Sequence, residues 1–235
     1  MILPNNIDIG THKKIVFVGE SGSGKTEFSM NLACEIRRQS DAGILFLDMD
    51  QTKPMFRARD AAEKLRNLRI DFPVVPQMLD APVVPHGVLS ALADPDSFTV
   101  MDIGGNKSGA LCLGQFSAEL RAADPLVFYT IDPFRCFSDS TQHIRETMEM
   151  VLSCCGLPSI NIAANPYLGP DTTVDDFKEG LARLEELLIP LGKPVHTVLI
   201  PFFLFDKLKK KNEVPGRYTV IQPFMSQVID INRNI

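Results

Sequence analysis

The chain has 235 residues, 45% of them apolar and 23% charged, a balance that suits one domain over 1–235 with a buried core and excludes wholesale disorder. A formal charge of −5 argues against a surface built to neutralise nucleic-acid phosphates. No apolar run is long enough to span a bilayer, and residues 1–11 lack a basic segment followed by an apolar one, so neither a membrane span nor an export signal is expected. Cys34, Cys112, Cys136, Cys154 and Cys155 are scattered without metal-ligand spacing, which fits a reducing cytoplasm. Cys154 and Cys155 read as core thiols, with a thiol pair at a dimer interface as the alternative.

Along the chain, short apolar runs alternate with longer amphipathic segments, the pattern of βαβ units around a mostly parallel sheet with helices on both faces. A strand is predicted at 14–18, a glycine-rich turn after it, and a helix over 25–38. A second strand at 43–47, a helix near 55–67, an extended piece near 72–75 and a connection through Pro76, Pro82 and Pro85 follow. Strands are then predicted at 97–101, 126–131, 160–164 and 195–200, separated by helices over 110–122, 141–154 and 174–188, with a short helix at 202–211. The 126–131 run has almost no polar interruption and requires cover on both faces.

The turn Gly19-Glu20-Ser21-Gly22-Ser23-Gly24-Lys25-Thr26 fits G-x-x-x-x-G-K-[ST] at every fixed position and lies between a strand and a helix, as the phosphate-loop motif requires. The glycines let the backbone curl so that successive N–H groups face phosphate oxygens, and the helix N-terminus adds a favourable dipole. Lys25 is expected to reach the β and γ phosphates, and Thr26 to offer its hydroxyl to Mg²⁺, a hard cation that takes oxygen ligands and keeps several waters. The fold expected is therefore α/β, of the P-loop NTPase kind.

Asp102 follows a buried strand and precedes Ile103-Gly104-Gly105, which puts a carboxylate at the sheet edge for Mg²⁺ and two glycines where backbone approaches the γ phosphate. The competing reading is a turn or cap aspartate. Asp48-Met49-Asp50-Gln51 ends the second strand on the same edge, where open α/β folds bind ligands. Its carboxylates can orient water or bind metal, or they can be turn residues before Pro54.

This order of phosphate loop, Asp-x-Asp and Asp-x-Gly-Gly resembles the MinD/ParA-type (SIMIBI) branch of P-loop ATPases. The resemblance implies that Asp50 positions the attacking water, that Asp102 is linked to Mg²⁺ with Asp48 beside it, and that Asn165 recognises adenine, a turn before Pro166 being the alternative. The branch usually has a second lysine early in the loop that reaches across a dimer; here Glu20 stands there. That puts the nucleotide-sandwich dimer in doubt and leaves Glu20 to repel nucleotide in one state or to contact a partner. The phosphate loop, switch and Asp-Gly-Gly elements lie in the first 110 residues, and beyond them the likeness is one of architecture.

The function expected is ATP binding with slow Mg²⁺-dependent hydrolysis, switching conformation on a protein partner, with a homodimer allowed. A small-molecule kinase would share the loop but needs an acceptor pocket and a lid. A non-hydrolysing nucleotide-dependent module is the third reading. GTP is disfavoured because no Asn-Lys-x-Asp occurs. Arg57, Arg59 and the Pro133-Phe134-Arg135 turn are expected near the ligand edge, the last shaping a partner site. Lys207 and Lys209–Lys211 read as a solvated helix end, and His12, His86, His143 and His196 as structural or exposed.

Overall fold

The computed structural model describes residues 7, 9–50, 61–73, 87–157 and 159–224. Seven strands form one sheet in the order β2-β3-β1-β4-β5-β6-β7, and every neighbouring pair runs parallel. In chain order they are β1 (Lys14–Gly19), β2 (Ile44–Met49), β3 (Phe98–Ile103), β4 (Leu126–Ile131), β5 (Asn161–Ala164), β6 (Val195–Pro201) and β7 (Tyr218–Ile221). The helices are α1 (Lys25–Gln39), α2 (Ala62–Asn67), α3 (Val88–Ala93), α4 (Lys107–Gly114), α5 (Ser117–Ala122), α6 (Thr141–Cys155), α7 (Val174–Leu188) and α8 (Phe202–Lys211).

β1, β3 and β4 are buried along their whole length, which is why their sequences read as unbroken apolar runs. Alternate residues face opposite layers. Ile15 and Phe17 pack with Phe28 and Leu32 of α1 and Leu65 of α2, whereas Val16 and Val18 pack with the layer containing α4, α6 and α7. Phe17, Phe28 and Phe128 meet with ring centroids 4.9 to 5.6 Å apart. Such aromatic pairs contribute about 0.5–1.5 kcal/mol each beyond their buried area, and here they fix the helix that follows the phosphate loop against the two central strands. Because β1 lies between β3 and β4, the chain reverses its direction of winding beside the loop, the place where open α/β sheets bind ligands.

The predicted helix over 110–122 is two helices. A Cβ on Gly114 would strike the Cys154 carbonyl, so the last turn of α4 can lie this close to α6 only because a side chain is absent there. α4 also begins earlier than expected, with the Asn106 side chain accepting from Gly109 N at 2.8 Å. Of the extended piece predicted at 72–75, residues 72 and 73 are described and carry no strand; the neighbouring Asp71 bridges Leu45 and supplies an edge to β2. α3 and β7 were not predicted: both are short, and Tyr218–Ile221 offers too few residues for a period to show. Residues 55–60, 74 and 75, with Gln51, Pro54, Arg57, Arg59, Pro76, Pro82, Pro85 and His86, lie outside the described residues.

Cys155 is buried, and burial pushes its thiol up to about 12, so it is a core group rather than a thiolate, as expected from its apolar helix. Among the described residues no helix is long and apolar enough to cross a membrane.

Candidate functional site

The loop from Gly19 to Thr26 joins the end of β1 to the start of α1 at the centre of the sheet. Gly19, Gly22 and Gly24 have φ of 135°, 81° and 95°, a region open to glycine and costly for other residues. Gly24 caps α1 without any side-chain acceptor, so the first N–H groups of the helix remain directed at the loop's concavity. Lys25 is 4% exposed and turns its ammonium back over the loop onto the Glu20 carbonyl at 2.5 Å.

On one flank, the Thr26 hydroxyl donates to Asp102 Oδ2 at 2.6 Å. Asp102 Oδ1 is buried and has no hydrogen-bond partner among the described residues. Asp102 pairs in register with Phe17 of β1 and with Asp48 of β2, so parallel pairing alone brings the carboxylate to the loop. Burial above all, and then Asp48 and Asp50, raise the Asp102 carboxyl to about 7 against the opposing pull of Thr26 and Lys25. A cation at this position would reverse that preference.

Asp48 Oδ1 accepts from the Asp50 backbone N–H at 3.0 Å. Asp50 lies against Gly104, whose Cβ would meet Asp50 Oδ1 at 3.1 Å, and a Cβ on Gly105 would come within 2.5 Å of Ser21 N. The Asp-x-Gly-Gly turn is thus packed on the phosphate loop itself. Among the described residues no three His, Cys, Asp or Glu side chains gather to hold a metal. Mg²⁺ does not need them: it takes one or two protein oxygens, waters and phosphate oxygens, and a threonine hydroxyl beside a carboxylate with an orphaned oxygen fits that donor set.

The opposite flank was less legible. Glu20 is 1% exposed, and its carboxylate turns beneath the loop, accepting from the Ser138 hydroxyl at 2.9 Å, with Oε1 unpartnered. In this arrangement the carboxylate is buried against Ser138 rather than exposed to solvent. Burial raises the carboxyl to about 7, with Asp132 and Asp139 adding and Ser138 and Lys25 opposing. The buried Tyr129 hydroxyl is likewise raised by burial and by Glu20.

Asp132, beyond β4, accepts from Phe134 N and from Arg135 Nε, both at 3.0 Å. Asn165, at the end of β5, donates its amide to the Ser23 carbonyl at 2.8 Å and lies against Gly24. Its position beside the loop was expected; its bond to the loop was not. The structure therefore brings together Gly19, Glu20, Ser21, Gly22, Ser23, Gly24, Lys25, Thr26, Asp48, Asp50, Asp102 and Asn165 at one edge. Sequence reasoning missed Ser138 altogether; it set Arg135 on the ligand edge, shaping a partner site, without foreseeing its contact with the loop at Gly22. The available signal was that Asp132, like Asp48 and Asp102, ends or follows an apolar strand.

No protein-family model matches the chain, and no curated protein matches it. Among solved structures it is similar to chloroplast FtsY from Physcomitrella patens, with a TM-score of 0.51 and 15% identity over 84% of this chain and 60% of that one. It is also similar to the cell division protein FtsY from Thermotoga maritima, with a TM-score of 0.51 and 17% identity over 84% of this chain and 65% of that one. The chain thus spans less than two thirds of the length of either. At this identity the likeness is one of fold, and with the loop and the all-parallel sheet it identifies an α/β P-loop NTPase fold.

Proposed function

We propose that the chain is a nucleotide-dependent switch that binds Mg-ATP as one domain, hydrolyses it slowly and acts on a protein partner in the cytoplasm. The observation that carries this reading is the 2.6 Å bond from Thr26 to Asp102 beside the phosphate loop, with the second Asp102 oxygen buried and unpartnered. Thr26 and Asp102 would hold Mg²⁺, which would supply charge neutralisation to the terminal phosphates. Asp48 supports the same ion by orienting the end of β2, to which its own bond with Asp50 N contributes. Lys25 leaves the Glu20 carbonyl for the phosphate oxygens. Asp50 positions the attacking water, a role that requires placement more than basicity.

What stands after β5 supports the reading of ATP as the nucleotide. Asn165 is followed by Pro166, Tyr167 and Leu168, so the lysine and carboxylate of a guanine-recognising Asn-Lys-x-Asp are both missing at that edge. Asn165 keeps its amide on Ser23 and presents its remaining polar atom to the adenine. The close packing of Gly104 and Gly105 on Asp50 and Ser21 supports the switch: a shift of this turn on phosphate release moves the loop directly.

Calorimetry of the unmodified chain with ATP, ADP and GTP in Mg²⁺, with phosphate release and oligomeric state followed in the same samples, tests the reading. ATP binding with slow turnover is expected. GTP binding without ATP binding would overturn the base preference, and binding of neither would overturn the nucleotide site.

A further inference from the structure

The rim of the phosphate loop carries a cation from outside the loop's own sequence. The Asp132 side chain is 2% exposed; one of its oxygens accepts from Phe134 N and the other from Arg135 Nε. Arg135 N bonds the Asp132 carbonyl at 3.1 Å, so this residue is held through its backbone and through the inner nitrogen of its side chain. The outer amino groups of the guanidinium, which carry most of its N–H donors, are not the ones that bond Asp132, and the side chain is 52% exposed. A Cβ on Gly22 would meet Arg135 Cζ at 3.6 Å, Nε at 3.7 Å and Nη2 at 3.9 Å. The guanidinium therefore lies over the middle of the loop, at a residue whose positive φ turns the backbone around the phosphate concavity.

A solvated ion pair has no need of so deeply buried a carboxylate. Burying it is costly, and the Asp132 carboxyl is raised by that burial in spite of the guanidinium beside it. What the burial secures is direction, which matters where a planar fork must meet oxygen atoms. The loop's backbone encloses the inner phosphates, so the outermost one is left to side chains and metal.

We infer that Arg135 is a phosphate-contacting residue, presenting its outer guanidinium edge to the terminal phosphate of a bound nucleoside triphosphate while Asp132 fixes its direction. This rests on the nucleotide-binding reading of the loop. Arg135→Ala, Arg135→Lys and Asp132→Asn are compared with the unmodified chain by calorimetry against the triphosphate the chain binds and its diphosphate, both with Mg²⁺. Arg135→Ala is expected to weaken triphosphate binding about ten- to a hundredfold and diphosphate binding far less, with Arg135→Lys recovering part of the loss. Asp132→Asn, which keeps the guanidinium but removes the charge and one of the two acceptor oxygens that anchor it, is expected to show a smaller loss with the same bias. Unchanged triphosphate affinity in Arg135→Ala, or equal losses for both nucleotides, overturns the inference and leaves the nucleotide site standing. An unmodified chain that binds neither nucleotide overturns that site and the inference with it.

Discussion

The two flanks of the phosphate loop are both acidic, and each drives one carboxyl to about 7, yet they are built for different ends. On the β3 flank, Asp102 shares one oxygen with a threonine hydroxyl and keeps the other without a partner, so the charge repelled by Asp48 and Asp50 is what a divalent cation would neutralise. On the β4 flank, Glu20 is turned into the protein and held by Ser138, and the nearby cation is an arginine whose guanidinium lies over the loop. Both flanks keep one buried carboxylate oxygen without a partner; what differs is the neighbour, the loop's own threonine beside Asp102 and, beside Glu20, a serine that ties the loop to the segment after β4. A buried carboxyl is thus read from its neighbours rather than from burial alone.

The largest effect expected is from Lys25→Ala: the only cation of the loop itself is lost, and calorimetry should detect no triphosphate binding, a fall of more than about a hundredfold. Next comes Gly105→Ala. Its methyl would lie within 2.5 Å of Ser21 N and 2.6 Å of the Glu20 carbonyl carbon, and displacing backbone in a packed site costs about 1–3 kcal/mol, read as a lower melting temperature with weakened binding.

Glu20→Gln addresses the β4 flank. Because the folded protein raises this carboxyl from 4.5 to about 7, the native state binds more protons than the unfolded chain between those values. The stabilisation from its neutral form is complete below the unfolded value and is lost as pH rises through 7. The variant lacks that loss, so its stability relative to the unmodified chain should grow with pH across this window, by about 2–3 kcal/mol at most. Parallel pH profiles of denaturant unfolding check it, and a constant difference across the window would remove the buried-carboxyl account. The smallest effect is Asp50→Ala, which should leave ATP affinity within about threefold and lower turnover by about tenfold or more, the range of a single water-orienting group.

What could be foreseen separates along the same line. β1, β3 and β4 and the whole loop were readable because burial on both faces leaves unbroken apolar runs and because the phosphate loop needs glycines at fixed spacings. Asp102 was readable because strand ends carry their carboxylates to one edge. Ser138 was not: it meets Glu20 across 118 residues of sequence, and no local period encodes that meeting. The close approach of α4 to α6 has the same origin, since Gly114 answers to a carbonyl on α6 rather than to its own helix. Asn165 lies between these cases, its place at the end of β5 legible and its bond to Ser23 decided only by the fold.

The most direct test is ATP affinity of the unmodified chain and of Asp102→Asn, each with Mg²⁺ and with a chelator. The account predicts that Mg²⁺ tightens ATP binding to the unmodified chain at least about tenfold and that Asp102→Asn loses most of this gain while keeping its metal-free affinity. Equal Mg²⁺ enhancement in the two proteins would contradict the assignment of Thr26 and Asp102 as the metal-holding flank.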